Sequence, residues 1–359
     1  MGNCCGLFEL TNKHFDGLVQ TLPSMQGKVV AVTGCTSGTG RIFARVCATK
    51  GAKVFMLNRT SKRADEAFQY IKDVATAAHA PTPVCIPCNL CSFKSVRECA
   101  LKLQEELGNT GLDVLCNNAG IMGFGDEATE DGCDIQMQTN HLSHFLLTSL
   151  CMPLLEKACT LRGEARVVNH TSAARVMDGP EFTNKLEEKY LEKNGGNLGG
   201  NSTAFFKGAN FVRYQQSKLA NVVFTYALHN RLQKKGSKIK VLCAHPGVAP
   251  TQLMQGTMSA GGAKEFEGAP AWVGALMNWF LFQSEEDATV GILRNACSPE
   301  AKSGELFGPL GKGGATGKHD TSEYRGPVGV LNTEPFAHEQ AQAMLWATSE
   351  KVTGVKFDV

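Results

Sequence analysis

The sequence predicts an α/β protein with a doubly wound parallel sheet, built as a single domain with a C-terminal extension. Short apolar runs alternate with longer helical patterns between residues 29 and about 300. Strand, helix and strand in that order form βαβ units, which bring parallel strands together under helices on both faces. A glycine-rich turn, Thr33–Gly40, joins the first apolar run to the first helical pattern. Together these features predict a Rossmann fold.

The predicted strands recur along the first two thirds of the chain. They are Val29–Val32, Lys53–Leu57, Val84–Cys88, Leu112–Cys116, Arg166–Asn169 and Ile239–Cys243. The first two helices are predicted over Arg41–Lys50, where a glycine follows as a C-terminal cap, and over Lys62–Ala78. A later helix is predicted over Leu219–Leu232. The Gly/Asn-rich stretch Lys193–Thr203 interrupts the alternation and is predicted as an exposed loop.

These patterns divide the chain into three parts. Residues 1–25 form an N-terminal arm without strong periodicity, residues 26–310 form the Rossmann domain, and residues 311–359 form the C-terminal extension. Within the extension, Glu334–Ser349 is predicted as a helix that closes over the domain or over a partner. A homodimer is therefore one of the expected assemblies.

The composition excludes several classes of protein. The 359 residues carry 36 Lys+Arg against 34 Asp+Glu, a formal net charge of +2. We expect no nucleic-acid partner, because such a protein needs a basic excess on one face. No apolar run reaches the ~20 residues that span a bilayer. The 14 Cys are spread along the chain, so we expect free thiols, no metal site and a cytoplasmic, reducing compartment.

The glycine turn and the end of the second strand predict a dinucleotide site. Glycines in Thr33–Gly40 let the backbone approach a pyrophosphate, and the helix that follows offers free N–H groups to it. The alternative is a plain βα turn that binds no nucleotide. About 20 residues later the chain reads Asn58-Arg59. An acidic residue there would suit NAD, whereas Arg59 suits the 2′-phosphate of NADP. We therefore predict NADP(H) over NAD(H), with a solvated basic helix start as the alternative.

Tyr214 and Lys218 are spaced to lie one helical turn apart. A phenol with its ordinary pKa of ~10 exchanges protons poorly at neutral pH. A neighbouring ammonium favours the phenolate and lowers that pKa. The pair therefore fits a proton donor, Tyr214, and a cation that lowers its pKa, Lys218, although this spacing also occurs by chance.

In this order the motifs resemble the short-chain dehydrogenase/reductase family over roughly residues 26–300. The retinol-dehydrogenase-like branch of that family is most similar in two segments, Asn118–Met122 and His141–Leu147. Thr33–Gly40 resembles the family's T-G-x3-G-x-G turn. The resemblance implies the catalytic residues Asn140, Ser172, Tyr214 and Lys218. It implies cofactor contacts from Gly34, Thr36, Ser37, Gly38, Gly40, Asn58, Arg59, Asn89, Leu90, Asn117, Ala119, Gly120, Tyr214, Lys218, Pro246, Gly247 and Thr251.

The resemblance also implies a mechanism. Hydride moves between the nicotinamide and a carbonyl carbon while Tyr214 protonates the developing alkoxide, and the reverse reaction oxidises an alcohol. Lys218 would hold the nicotinamide ribose, Ser172 would bind the carbonyl, and Asn140 would position Lys218 through water. A non-catalytic NADP-binding sensor or scaffold of the same fold is the alternative function.

The sequence departs from the family pattern at three places. Asn89 stands where an Asp commonly contacts adenine, which leaves a neutral hydrogen bond for that role. Ser143 stands where Gly is frequent. The separation between Ser172 and Tyr214 is long, which indicates an insertion over Lys185–Lys207 beside the mouth of the site.

Two further segments carry hypotheses about the surroundings of the site. Trp272–Phe282 is interpreted as a substrate lid for a bulky hydrophobic, lipid- or retinoid-like compound, with a buried core or subunit helix as the alternative. The N-terminus resembles a dual-acylation signal, with myristate on Gly2 and palmitate on Cys4 and Cys5, which predicts peripheral membrane association. Gly6 replaces the usual Ser or Thr, and an unmodified arm is the alternative.

Overall fold

A computed structural model describes residues 11–177, 182–199, 208–249, 283–311, 324–331 and 338–359. The acylation residues Gly2, Cys4 and Cys5, the nicotinamide-loop residue Thr251 and the lid Trp272–Phe282 lie outside the described residues.

In the described part of the chain, eight strands form one sheet. They are β1 Val29–Thr33, β2 Lys53–Asn58, β3 Val84–Pro87, β4 Val114–Asn117, β5 Ala165–His170, β6 Ile239–Ala244, β7 Leu306–Pro309 and β8 Val328–Val330. The spatial order is β3-β2-β1-β4-β5-β6-β7-β8. Neighbouring strands are parallel except β7 and β8, which pair antiparallel. The order reverses between β1 and β4, and ligands bind such sheets at that switch point.

Helices cover both faces of the sheet. They are α1 Phe15–Thr21, α2 Gly38–Thr49, α3 Lys62–Ala77, α4 Phe93–Leu107, α5 Ile135–Met137, α6 Ser143–Arg162, α7 Ala209–Lys234, α8 Glu285–Cys297 and α9 Glu339–Thr353. A π-helical turn, Gln138–Leu142, joins α5 to α6. N-terminal capping residues fix where two of these helices begin. The side chains of Ser61 and Ser92 accept hydrogen bonds from backbone N–H groups in the first turns of α3 and α4, respectively.

Alternate residues of each central strand enter two separate cores. One core, against α1, α2 and α8, receives Val30, Val32, Val54 and Met56. The other, against α4, α6, α7 and α9, receives Ala31, Phe55, Leu57, Leu115 and Val167. Because both faces are covered, the strands are continuous apolar runs rather than alternating ones. The predicted doubly wound parallel sheet is confirmed.

The structure corrects the predicted extent of two helices and adds one strand. The helix predicted over Leu219–Leu232 is the C-terminal part of α7, which begins ten residues earlier at Ala209. Buried polar side chains near its start hide the apolar periodicity there. The predicted extension contributes β8 to the sheet and a helix over Glu339–Thr353 rather than Glu334–Ser349.

The described part of the N-terminal arm packs on the domain. The backbone N–H groups of Lys13, His14 and Phe15 donate to the Asp287 carboxylate on α8, at 2.9 to 3.2 Å. The arm therefore begins α1 against the body of the protein. Among the described helices, none is both long and apolar enough to cross a membrane.

Candidate active site

The glycine turn lies where β1 meets α2, at the carboxyl edge of the sheet. Gly34 has φ +67°, and a Cβ added there would come within 2.7 Å of the Ala119 Cβ. A Cβ added at Gly40 would lie 2.3 Å from the Gly34 carbonyl oxygen. These positions require glycine because the turn folds directly onto the end of β4.

Asn118 is the residue that fixes this turn, and it is not among the cofactor contacts predicted from the sequence. Its Nδ2 donates to the carbonyl oxygens of Thr33 and Gly34, at 2.9 and 3.2 Å. Its Oδ1 accepts from the Thr39 hydroxyl at 2.9 Å. Asn118 thereby joins the ends of β1 and β4 to the first turn of α2. A second consecutive Asn after a buried strand was the signal available in the sequence.

The end of β2 lies beside the turn. The Asn58 side chain is buried, and its Oδ1 accepts from the Cys35 backbone N–H at 2.8 Å. Arg59 follows as an exposed residue. Arg63, in the first turn of α3, donates to the Ser37 hydroxyl at 3.2 Å. The Arg63 guanidinium thus contacts the turn and Asn58 supports its backbone, while Arg59 is the exposed residue that follows β2.

Tyr214 and Lys218 lie on the first half of α7 and face Ser172, which follows β5. The Tyr214 phenol and the Ser172 hydroxyl are hydrogen-bonded to each other. The Lys218 Nζ lies 5.8 Å from the centre of the Tyr214 ring and donates to the His170 carbonyl at 3.3 Å. Both side chains are buried. The structure therefore brings together three of the four predicted catalytic side chains at the same edge of the sheet as the glycine turn.

Burial dominates the protonation of this pair. It raises the pKa of Tyr214 to about 12, although the hydrogen bond with Ser172 lowers that pKa in part. It lowers the pKa of Lys218 to about 8. Removal from water penalises a phenolate and an ammonium alike. The predicted lowering of the Tyr214 pKa is therefore wrong for this geometry. At neutral pH the phenol carries its proton, which is the form that a proton donor needs.

Asn140, the fourth predicted catalytic residue, lies in the π-helical turn before α6. Its Nδ2 donates to the Ser217 hydroxyl at 2.8 Å and to the Ile121 carbonyl at 2.9 Å. Its Oδ1 accepts from the Ile121 N–H at 2.8 Å. A Cβ added at Gly120 would lie 3.0 Å from the Lys218 Nζ and 3.2 Å from the Asn140 Oδ1. The residue thus borders Lys218, and π-helical turns of this kind are frequent at functional sites.

Two histidines next to Asn140 have structural partners. The His144 ring lies 2.9 Å from the Thr33 hydroxyl and 3.0 Å from the Asn140 carbonyl oxygen. Burial lowers the pKa of His144 to about 4 and that of His141 to about 3. Among the described residues no group of three or more His, Cys, Asp or Glu is placed to hold a metal ion.

The remaining predicted cofactor residues line the same edge of the sheet. Asn89 follows β3, and its Oδ1 accepts from the Cys91 N–H at 3.2 Å, while the Leu90 carbonyl accepts from Ser143 at 2.6 Å. Asn117 differs, because its side chain points into the core and donates to Thr148 and Asn169. The others lie in the turn, at the end of β4 or after β6; they are Thr36, Gly38, Ala119, Pro246 and Gly247.

The insertion beside the site is held by the residues between Tyr214 and Lys218. The Gln215 amide donates to the Thr183 carbonyl, two residues before the insertion, at 3.0 Å. Gln216 donates to the Lys185 carbonyl and accepts from the Glu187 N–H, both at 3.0 Å. The proposed active-site helix and the insertion are therefore one connected unit. Sequence reasoning missed both glutamines, which fill two of the three positions between Tyr214 and Lys218.

A carboxylate holds the far end of the described insertion. Asp126 accepts from the backbone N–H groups of Gly196, Leu198 and Gly199 at 2.9 to 3.1 Å. The Gly199 carbonyl in turn accepts from the buried Arg213 guanidinium at 2.9 Å. Three N–H donors converging on one carboxylate order this loop strongly.

Apolar side chains surround the Tyr214 ring. Met122, Phe211 and Tyr214 form a buried cluster, and Ala174 and Phe182 pack against it. Met122 follows β4, Ala174 follows β5, Phe211 and Tyr214 lie on α7, and Phe182 precedes the insertion. The approach to the phenol is thus lined by apolar surface.

These features define a doubly wound α/β protein with a buried tyrosine–lysine pair beside a glycine turn. The chain as a whole is similar to known proteins. The family described as short chain dehydrogenase matches residues 28–184. Human retinol dehydrogenase 13 is 34% identical over 239 residues, which cover 66% of this chain and 63% of that protein. Mouse retinol dehydrogenase 14 is 33% identical over 294 residues, which cover 79% of this chain and 78% of that protein. The crystal structure of an uncharacterized protein from Mycobacterium paratuberculosis has a TM-score of 0.67 at 26% identity, covering 95% of this chain and 98% of the other.

The chain belongs to the short-chain dehydrogenase/reductase family, in its retinol-dehydrogenase-like branch. The resemblance that the motifs indicated is confirmed. The match spans less than two thirds of the length of retinol dehydrogenase 13.

Proposed function

We propose that this protein is an NADP(H)-dependent oxidoreductase that interconverts a carbonyl and an alcohol by hydride transfer. The observation that carries the proposal is the Tyr214 phenol, hydrogen-bonded to Ser172 one helical turn from Lys218, at the carboxyl edge of the sheet that also holds the glycine turn. Proton donor, carbonyl-binding hydroxyl and nearby ammonium are the groups that such a reaction needs.

The residues of the glycine turn fit a dinucleotide. Among the described residues of α2, the N-cap Ser37 makes no side-chain capping bond and the first turn contains no acidic residue. Free N–H groups at a helix N-terminus favour an anion such as a pyrophosphate. The turn residues Gly34 and Gly40 leave no side chain between this helix end and the edge of the sheet. These residues would hold the pyrophosphate, and the bound cofactor would supply or accept the hydride.

The remaining steps belong to side chains of this chain. Tyr214 would give its proton to the alkoxide oxygen as the carbonyl is reduced, and would take it back in alcohol oxidation. Ser172 would donate to the same oxygen and orient it. Lys218, cationic at pH 7 with its pKa near 8, would bind ribose hydroxyls and stabilise negative charge on Tyr214. Asn140 borders Lys218 and would keep it in place.

A preference for NADP(H) follows from the charges beside the turn. Arg59 and Arg63 would bind the 2′-phosphate, since a guanidinium pairs with phosphate through two parallel hydrogen bonds. We expect Arg59→Ala to weaken NADPH binding about tenfold, and NADH binding far less, because an exposed charge-assisted contact contributes on the order of 1 kcal/mol. Lys72→Ala, which removes another exposed cation on α3, is the matched control. Equal losses for the two cofactors would contradict the preference.

The apolar surroundings of Tyr214 support a hydrophobic substrate. Met122, Phe211 and Phe182 are all close to the ring, and a lipid- or retinoid-like compound would bury its own apolar surface against them. The names of the retinol dehydrogenase relatives agree with this class. The three-part division of the chain, the lid over Trp272–Phe282, a homodimer and N-terminal acylation remain predictions.

The test of the function is a panel of long-chain and retinoid aldehydes, ketones and alcohols, assayed with both cofactors. We expect aldehyde-dependent consumption of NADPH that exceeds the rate with NADH. A protein that binds NADPH but turns over no member of the panel would be the non-catalytic sensor instead.

A further inference from the structure

One buried side chain at the edge of the site has no assigned role. His170 is the last residue of β5 and is 7% exposed. Its Nδ1 lies 3.0 Å from the Asn118 Oδ1. Its Nε2 is buried and has no hydrogen-bond partner in the part of the chain that the structure describes. An unmatched buried polar atom costs about 1–3 kcal/mol, so its presence calls for an explanation.

The neighbours of His170 determine which nitrogen carries the proton. The Asn118 Nδ2 donates to two carbonyl oxygens, those of Thr33 and Gly34, which fixes the amide with Oδ1 toward the histidine. Because Oδ1 is an acceptor, Nδ1 of His170 must be the N–H donor. Burial lowers the pKa of His170 to about 3, and Lys218 and His245 add to that lowering. The ring is therefore neutral, and its Nε2 presents a lone pair.

His170 lies between the two halves of the proposed site, the glycine turn and Lys218. Through Asn118 the ring is joined to Gly34 and Thr39 of the glycine turn. The His170 carbonyl accepts from the Lys218 Nζ at 3.3 Å. A ligand that satisfies Nε2 must bring a hydrogen-bond donor. A pyrophosphate brings only acceptors, whereas the nicotinamide nucleoside brings ribose hydroxyls and a carboxamide NH₂.

We propose that the Nε2 of His170 accepts a hydrogen bond from the nicotinamide nucleoside half of the bound cofactor, which makes His170 a cofactor-positioning residue. The proposal rests on the proposed function, because it needs a nicotinamide dinucleotide in this site. The adenine half of the cofactor would make no contact with His170.

Two ligands separate this contact from a general effect on the site. NADPH carries the nicotinamide nucleoside, whereas adenosine 2′,5′-bisphosphate lacks it. We expect His170→Leu to weaken NADPH binding about three- to tenfold, the loss of one hydrogen bond, and to change bisphosphate binding by less than about twofold. His170→Gln, whose amide offers both a donor and an acceptor, should recover most of the NADPH affinity. Calorimetric titration of each full-length variant measures both.

A spectroscopic measurement on the unaltered protein covers the case in which a variant does not fold. With ¹⁵N-labelled histidine, the Nε2 resonance of His170 should move toward that of a hydrogen-bonded acceptor when NADPH is added. It should not move when the bisphosphate is added.

Each contrary outcome has its own meaning. Unchanged NADPH binding in His170→Leu, or an unmoved resonance, would overturn the role of His170 while the proposed function stands. Equal losses for both ligands would also overturn it, and would show that His170 only supports Asn118 and the turn. A wild-type protein that binds neither NADPH nor NADH would refute the proposed function itself.

Discussion

The chemistry of Tyr214 and Lys218 depends on how deeply both are buried. The two side chains are each 4% exposed, so water stabilises neither the phenolate nor the ammonium. Their spacing was visible in the sequence, but the direction of the Tyr214 pKa shift was not, because desolvation comes from the folded chain around the pair. The sequence suggested a lowered pKa from the nearby cation, and burial outweighs it.

Burial of Lys218 predicts a pH-dependent stability. Its pKa falls from 10.5 in the unfolded chain to about 8 when folded, so between these values the unfolded chain binds more protons. Folding stability should therefore rise with pH across this window, and the cost of the buried charge is fully present below about pH 8. Relative to Lys218→Met, the wild type should gain up to about 3 kcal/mol between pH 7 and pH 10, at about 1.4 kcal/mol per pKa unit.

Urea unfolding of the wild type and of Lys218→Met at pH 7 and pH 10 measures this difference. The contributions of the other titrating groups largely cancel because both proteins contain them. Lys234→Met, at the exposed end of the same helix, is the control and should show no such gain. A difference between wild type and Lys218→Met that stays constant with pH would contradict the account.

At the scale of elements, α7 is both the helix of the proposed proton donor and the support of the insertion. Tyr214 and Lys218 face the edge of the sheet, while Gln215 and Gln216 bind the insertion. The insertion could be inferred from the unusual distance between Ser172 and Tyr214. Its attachment could not, because glutamines bonded to backbone carbonyls have no characteristic spacing.

Loss of the Asp126 carboxylate should release the far end of the insertion. We expect Asp126→Ala to speed amide hydrogen exchange at Gly196, Leu198 and Gly199 by at least about tenfold, because each loses a charge-assisted acceptor. Hydrogen-exchange mass spectrometry reports on this segment directly. Glu127→Ala removes the exposed carboxylate next in the chain and should leave the exchange unchanged. Equal exchange in both variants would show that Asp126 does not order the loop.

At the scale of the whole molecule, α9, the helix of the predicted C-terminal extension, packs on α6 and α7. Trp346 of α9 packs 5.2 Å from the Phe145 ring and 4.8 Å from the Phe357 ring, between ring centroids. The Arg231 guanidinium lies 4.2 Å from the Trp346 ring centroid. Of the two expected positions for this helix, the structure shows the one over the domain. The choice could not be made from the sequence, since an apolar helical face fits the chain itself and a second copy equally well.

The extension should therefore contribute to global stability. Trp346→Ala should lower the free energy of unfolding by about 3 kcal/mol or more, from lost apolar burial and a cavity between α6 and α7. Gln340→Ala, an exposed position on the same helix, should change it by less than about 0.5 kcal/mol. Equilibrium urea unfolding compares the two. Similar stability of both variants would mean that α9 is not part of the cooperative fold.

Much of the architecture could be predicted because strand and helix signals alternate so regularly between β1 and β6. The predicted site residues came from short motifs at strand ends, which parallel strands necessarily bring to one edge. Asn118 was not predicted as a contact although the consecutive asparagines gave a signal, whereas Asp126 and His170 were missed for a common reason. Their roles depend on partners far away in sequence, to which no local pattern points.

The central claim is that Tyr214 gives and takes the proton of the reaction, and Tyr214→Phe tests it most directly. The variant keeps the ring but lacks the hydroxyl, so it should bind NADPH within about threefold of the wild type while single-turnover reduction slows at least about 100-fold. Tyr226→Phe, the same change elsewhere on α7, should leave turnover nearly unaltered. If Tyr214→Phe reduces the same substrate at the wild-type rate, Tyr214 is not the proton donor.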